Sequence, residues 1–247
     1  MEWSNHVLKQ KAGETAVAFV QSGMVVGPGT VSTALWAVRE LAELIARGKL
    51  TAILAIPTSE ASDREARRLN IPLTIQEEHP LVDLVIDGAN EVDRDLNLIK
   101  GGGAFLRKKI IAQAAKRLII TIDESKLSSR LGEQRPVPVE VIPFGWKSQQ
   151  KFIEGLGSAA TLRAGPDGTV FLTDQRNYIL NCRFGPIDNA VELAQRLKNR
   201  AGIVKHGLFL NMAADLIVAR PNGVDRHKSP GHFSTDRPTI DGLHHDQ

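Results

Sequence analysis

The sequence predicts an α/β protein: a parallel sheet domain flanked by helices, with a smaller α+β domain inserted before the last strand. Three observations lead there. Apolar runs alternate with helical patterns through the first half, as βαβ units require. The runs "LTAILAI", "LVDLVID" and "RLIITID" are apolar almost throughout, the mark of strands covered on both faces. From about residue 133 prolines punctuate shorter apolar runs, and then a final stretch, "GLFLNMAADLIVARPNGV", offers one more strand to the first sheet.

Taken in order, residues 5–22 place Val7, Ala12, Ala16, Phe19 and Val20 roughly along one helical face. "GMVVGPGT" is a strand running into a glycine turn. "STALWAVRELAELIARGK" is an amphipathic helix, with Ser32 or Thr33 as its N-cap and Gly48 at its end. "LTAILAI" is the second strand. "SEASDREARRLN" is a helix whose first residues, Ser59, Glu60 and Asp63, suit its positive end. "LVDLVID", "RKKIIAQAAK" and "RLIITID" supply strand, helix and strand. In the second part, "ATLRAGPDGTVFLTDQRNYILNCRF" predicts strands around Pro166-Asp167-Gly168, and "IDNAVELAQRLKN" a helix. The expected division is 1–132 plus 207–226 for the α/β domain and 133–206 for the insertion. Residues 227–247 are polar and predict a disordered tail. Its His227, His232, His244 and His245 match no standard metal spacing.

Composition narrows the classes of function. The chain has 247 residues and a formal charge of +3, with Lys and Arg dispersed, which is no footprint for nucleic acid. No apolar run reaches the ~18–20 residues that span a bilayer, and "MEWSNHVLKQK" lacks the pattern of a signal peptide. A single cysteine, Cys182, excludes an intrachain disulfide and fits a reducing, cytoplasmic setting. Within "YILNC" it reads as a buried, inert thiol.

Ligands of open parallel sheets bind beyond the carboxyl ends of the strands, and the chemistry-bearing turns of this chain gather there. "GPGTVST", residues 27–33, joins a strand to a helix, so its amides and the hydroxyls of Thr30, Ser32 and Thr33 suit a phosphate. The G-x-G-x-x-G pattern of dinucleotide sites stops at Ser32. The second strand ends in Pro-Thr-Ser with no acid for a ribose, and no P-loop is present. "DGANEVDRDLNLIKGGG" sets Asp87, Asn90, Glu91 and Asp93 after one strand, then Lys100 before Gly101, Gly102 and Gly103. Consecutive glycines admit a ligand close to the backbone, and a lysine beside them can hold a phosphate or a developing oxyanion. "DESK", residues 123–126, closes the fourth strand.

These motifs, with "PVPVEVIPFGW", "NYILNCRFGPID" and "GLFLNMAADLIVARPNGV", resemble the ribose-5-phosphate isomerase type A family from about Lys9 to Val224. The resemblance implies interconversion of ribose 5-phosphate and ribulose 5-phosphate through an enediolate. It also implies a homodimer or homotetramer with no metal or organic cofactor, and neither a nucleic-acid nor a membrane partner. It implies that Thr30, Val31, Ser32 and Thr33 cradle the phosphate with help from Lys9. Asp87, Gly88, Ala89 and Asn90 would surround the C1–C2 end of the sugar. Lys100 would stabilise the enediolate, Gly101–Gly103 would line the sugar, and Lys126 would complete the pocket. Lys108 falls where the family has the glutamate that takes the C2 proton.

The chain departs from the family pattern at several of these places. Val31 replaces a glycine, Pro28 removes an N–H, and Asn90 replaces an acid with an amide that cannot transfer a proton near neutral pH. Lys108 replaces the base with a cation, and the loop between Lys100 and Lys108 is one residue shorter than usual, a slip worth ~100° on a helix. Two routes stay open. Either burial beside Lys100, Arg107 and Lys109 makes Lys108 a base, or Asp87 or Glu91 takes the proton. The alternative function is a non-catalytic sugar-phosphate-binding homologue or sensor, although no helix-turn-helix precedes the sheet.

Overall fold

The computed structural model describes residues 5–29, 33–101 and 105–229. Its main sheet follows the order β13-β12-β6-β3-β1-β2. The strands are β1 (Val25–Pro28), β2 (Leu54–Ala55), β3 (Val82–Asp87), β6 (Ala115–Asp123), β12 (Asp215–Arg220) and β13 (Gly223–Lys228). All neighbours are parallel except the edge pair β12–β13. After β1 the chain crosses to β2 on one side, whereas after β3 it travels to β6 on the other. The sheet therefore reverses direction between β1 and β3, and a crevice opens beyond their carboxyl ends.

The apolar runs are explained by cover on both faces. Leu84, Ile86, Ile119 and Ile217 pack into one core with α1 (Asn5–Val17) and α2 (Ala34–Ala46). Their alternating neighbours Val85, Leu118, Ile120 and Val218 pack into a second core with Ile111 and Ala112 of α4 (Phe105–Ala114). Successive strand side chains point to opposite faces, so a strand with helices on both sides has no place for a polar alternation. The third helix on this sheet, α3 (Glu60–Arg68), is capped by a reciprocal pair: the Ser59 hydroxyl accepts from the Ser62 amide, and the Ser62 hydroxyl from the Ser59 amide.

The inserted part has its own antiparallel sheet, β10-β7-β9-β8. It consists of β7 (Val137–Val141), β8 (Ala159–Leu162), β9 (Tyr178–Arg183) and β10 (Ile203–His206), joined by α5 (Trp146–Glu154) and α6 (Ala190–Lys198). Val137, Val139, Leu180, Ile153 and Leu197 form its core. Cys182 is buried opposite Val137, and burial raises its thiol to about 12, so it stays protonated. A short third sheet joins β4 (Glu91–Val92), β5 (Leu98–Ile99) and β11 (Leu208–Phe209).

The structure corrects several expectations. The first helix ends at Val17 rather than residue 22. Thr33 has helical backbone angles and no side-chain cap bond, so it is no conventional N-cap, and Ser32 lies outside the described residues. The run 207–224 is not one strand: it supplies β11 to the small sheet, β12 to the main sheet and the start of β13. Arg226, His227 and Lys228 pair with β12, so the chain is ordered past the expected start of the tail. Residues 230–247 lie outside the described set. The strands expected around Pro166-Asp167-Gly168 are β8 and β9, which pair with each other, while the turn itself closes an isolated bridge, Ala164 to Val170. No helix among the described residues is long and apolar enough to cross a membrane.

Candidate active site

Asp87 ends β3 at the reversal point and is 2% exposed. Its Oδ1 accepts from the Gly88 amide at 2.9 Å. Its Oδ2 lies 2.9 Å from Lys100 Nζ and 3.4 Å from Lys108 Nζ. Lys100, leaving β5, also donates to the Gly88 carbonyl. Lys108, on α4, donates to Thr58 Oγ1 at 3.3 Å, and the Thr58 hydroxyl donates to the Pro28 carbonyl at 2.9 Å. One carboxylate thus gathers groups from the ends of β1, β2, β3 and β5 and from one helix. Gly29 is required by this convergence, because a Cβ there would stand 2.2 Å from Asp87 Oδ1 and 2.8 Å from the Asp87 Cα.

Charge in this site is unbalanced. Burial pushes the Asp87 carboxyl up, but the ammonium groups of Lys100 and Lys108 outweigh it and hold the group at about 2. Lys100 is pushed down by burial and by Lys108, against the pull of Asp87. Among the described residues, two lysines face this one carboxylate, an arrangement that suits an anionic ligand or a developing oxyanion. Lys109 faces elsewhere: its Nζ donates to the carbonyls of His206 (3.1 Å) and Leu208 (2.6 Å), 4.7 Å from the Phe209 ring centre. Burial, with Lys205 nearby, lowers Lys109 to about 7.

The remaining sequence candidates fall into three groups. Thr30, Val31, Ser32, Gly102 and Gly103 lie outside the described residues. Gly88, Lys100 and Lys108 converge on Asp87, whereas Gly101 packs against Pro138 and its carbonyl accepts from Arg163. Despite the shortened loop, Lys108 projects into the site. Thr33 is buried at the start of α2, and Lys9 lies 3.9 Å from Asp123 at the end of β6, near Lys126 of the 3-10 turn Glu124–Lys126. Asn90 bonds the Ile99 carbonyl through its amide and leaves its side chain exposed at the rim.

Three candidates are structural. Ala89 packs into the second sheet core rather than toward an open pocket. Glu91 is fully buried, and its carboxylate accepts from the amides of Gln134 (3.2 Å) and Arg135 (3.0 Å), which removes it as a base. Asp93 is likewise occupied, by the amides of Asp95 and Asn97 and the Asn97 side chain. A separate open cleft is lined by Asp93, Asn97, Arg130 and Asp188 and includes neither Asp87 nor Lys100. Sequence reading missed Thr58, whose only signal was the Pro-Thr-Ser turn after the second strand.

The sequence pattern of the family described as Ribose 5-phosphate isomerase A (phosphoriboisomerase A) matches residues 54–223. The "Ribose-5-phosphate isomerase A" of Desulfatibacillum aliphaticivorans is 49% identical over 227 residues, covering 92% of this chain and 99% of that protein. The chain belongs to the ribose-5-phosphate isomerase A family. Solved structures of the family superpose closely. The enzyme from Plasmodium falciparum gives a TM-score of 0.88 at 37% identity, with 91% of this chain and 99% of that one covered. A D-ribose-5-phosphate isomerase in complex with phospho-erythronic acid gives 0.89 at 33% identity, with 92% and 100% covered. The buried Asp87–Lys100 pair sits at the switch point of the main sheet, within the residues that the family pattern matches.

Proposed function

We propose that the chain interconverts ribose 5-phosphate and ribulose 5-phosphate through an enediolate, with Asp87 moving the proton and Lys100 stabilising the oxyanion. The observation that carries this is the buried Asp87–Lys100 pair at 2.9 Å beyond the carboxyl ends of β1 and β3. Asp87 is the carboxylate left for the proton once Glu91 and Asp93 are tied into backbone amides. In the open-chain aldose, the carboxylate takes the C2 proton while the electron pair forms the C1–C2 double bond and charge gathers on O1 beside Lys100. Returning the proton to C1, with the O2 proton passing to O1, yields the ketose. The phosphate is assigned to residues 30–33, which precede α2 in the chain, with Lys9 and Lys126 as its further cations. A structural relative that holds phospho-erythronic acid, a phosphorylated sugar acid, supports a ligand of this class.

Lys108 sets the rate. By lowering the basicity of Asp87 it weakens a proton transfer for which a well-matched base supplies about 10²–10⁴-fold. Lys108→Glu puts a second carboxylate beside the first, and repulsion lifts the more basic of the two toward neutrality. A coupled ribose 5-phosphate assay is therefore expected to show turnover rising about tenfold or more in Lys108→Glu, alone or with Asn90→Asp. Turnover that stays flat in both variants would reject the role given to Lys108. Substrate binding by the wild type without any turnover would reject the isomerase assignment itself.

The site belongs to the unit formed by 1–132 plus 207–226, with 133–206 as the inserted domain. We place the protein in the cytoplasm as a homodimer or homotetramer. The lone, buried Cys182 supports the first reading, and the second rests on the family resemblance.

A further inference from the structure

The segment 163–177 of the inserted domain touches the site at two points, although it contributes no side chain to Asp87. At one end, Arg163 follows β8. Its Nε and Nη2 hold Asn181 Oδ1 at 3.2 and 2.7 Å, and its Nη1 donates to the Gly101 carbonyl at 2.9 Å. Among the described residues no carboxylate pairs with this guanidinium, so its fixed fork is committed to an amide oxygen and one backbone carbonyl. Gly101 directly follows Lys100 and has no freedom on its other side: a Cβ there would stand 2.0 Å from Pro138 Cγ. The Lys100 amide is itself held by the Gly207 carbonyl at 2.9 Å.

At the other end, Asp174 Oδ2 accepts from the Glu60 amide at 3.1 Å, in the first turn of α3. That turn follows Thr58, the residue that receives Lys108. Asp174 sits on a tight loop built on the buried Glu140. Glu140 Oε1 accepts from the Thr173 hydroxyl at 2.8 Å and from Asn177 Nδ2 at 3.0 Å, and Thr173 and Asn177 bond each other through their backbones. A loop anchored in this way transmits position instead of yielding.

We propose that Arg163 and Asp174 are positioning residues for the isomerisation, bracing Gly101 after Lys100 and the Thr58 turn against the inserted domain as one unit. The proposal rests on the isomerase reading above. The brace fixes Lys100 and Lys108 relative to Asp87, and a displacement of about 1 Å at reacting groups can cost ~10²-fold in rate.

The test uses the full chain with Arg163→Met, Arg163→Lys and Asp174→Asn, plus the Arg163→Met/Asp174→Asn double variant. The expected result is a fall in kcat/KM of about tenfold or more in Arg163→Met, carried by kcat as well as KM, with partial recovery in Arg163→Lys. Asp174→Asn, which keeps the shape and can still accept from the Glu60 amide, should show a smaller loss. The double variant should fall short of the product of the two single effects, because one brace is broken only once. Hydrogen exchange on the unliganded protein reads the brace without turnover: amides of Ser59–Ser62 and of Lys100–Gly101 should exchange faster in Arg163→Met while those of β3 do not. Slow exchange preserved at both places, or kcat/KM within twofold of wild type in a folded Arg163→Met, overturns the proposal. Faster exchange together with an inactive wild type would keep the brace and reject only the isomerase reading.

Discussion

Asp87→Ala is expected to remove isomerase turnover and about 3–5 kcal/mol of stability, because it leaves the Lys100 and Lys108 ammonium groups buried without the anion they share. Urea unfolding and the coupled assay read the two losses separately. The pH dependence has a definite sign. The folded-state value of Asp87 is about 2, below its ordinary 3.8, so its contribution is fully present above about 4 and is lost as pH falls through 2. Acid unfolding of the wild type should therefore include a step at the bottom of that range which the variant lacks. Any acid limb in the wild-type rate near pH 5 or above must come from a group other than Asp87.

Lys100→Met is expected to lower kcat by about 10²–10³-fold, the usual loss on removing a donor aimed at a developing oxyanion. Methionine keeps much of the apolar stem and removes only the charged head, which lies 5.7 Å from the Phe209 ring centre. Lys108 still faces Asp87 in this variant, so the carboxylate remains paired and the fold should persist. A mild loss of kcat, accompanied by a large rise in KM, would instead mean that Lys100 holds the ground-state sugar, and would move the oxyanion role to another group.

Much of this site was legible in the sequence because its parts are local to strand ends. Asp87 and Lys100 lie at the ends of apolar runs, and their residue types announce charge chemistry wherever the chain folds. The main sheet was legible for the same reason, since "LVDLVID" and "RLIITID" allow few alternatives. The pieces that escaped are those whose meaning depends on distant partners. Glu91 looked like a spare base until its carboxylate was found on the amides of Gln134 and Arg135, more than forty residues away. The two-residue strands β4, β5 and β11 carry no periodicity of their own; β4 and β5 pair locally, and β11 joins them from beyond the insertion. The strand β13, "GVDRHK", is polar because it is an exposed edge, and polarity alone reads as tail.

Lys109 gives the shape of the chain a temporal meaning. Its ammonium group fastens α4 to carbonyls 97 and 99 residues further along, and β5, which delivers Lys100, pairs with β11 from the same late segment. A nascent chain that has reached the end of β6 holds four of the six main strands and three of their five pairings, and can bury much of their apolar surface, yet it lacks the strand that anchors Lys100. Contacts this far apart in sequence close slowly and late. The seating of Lys100 against Asp87 is therefore completed only after the insertion has emerged, so that a truncated or stalled product carries Asp87 without a correctly seated Lys100.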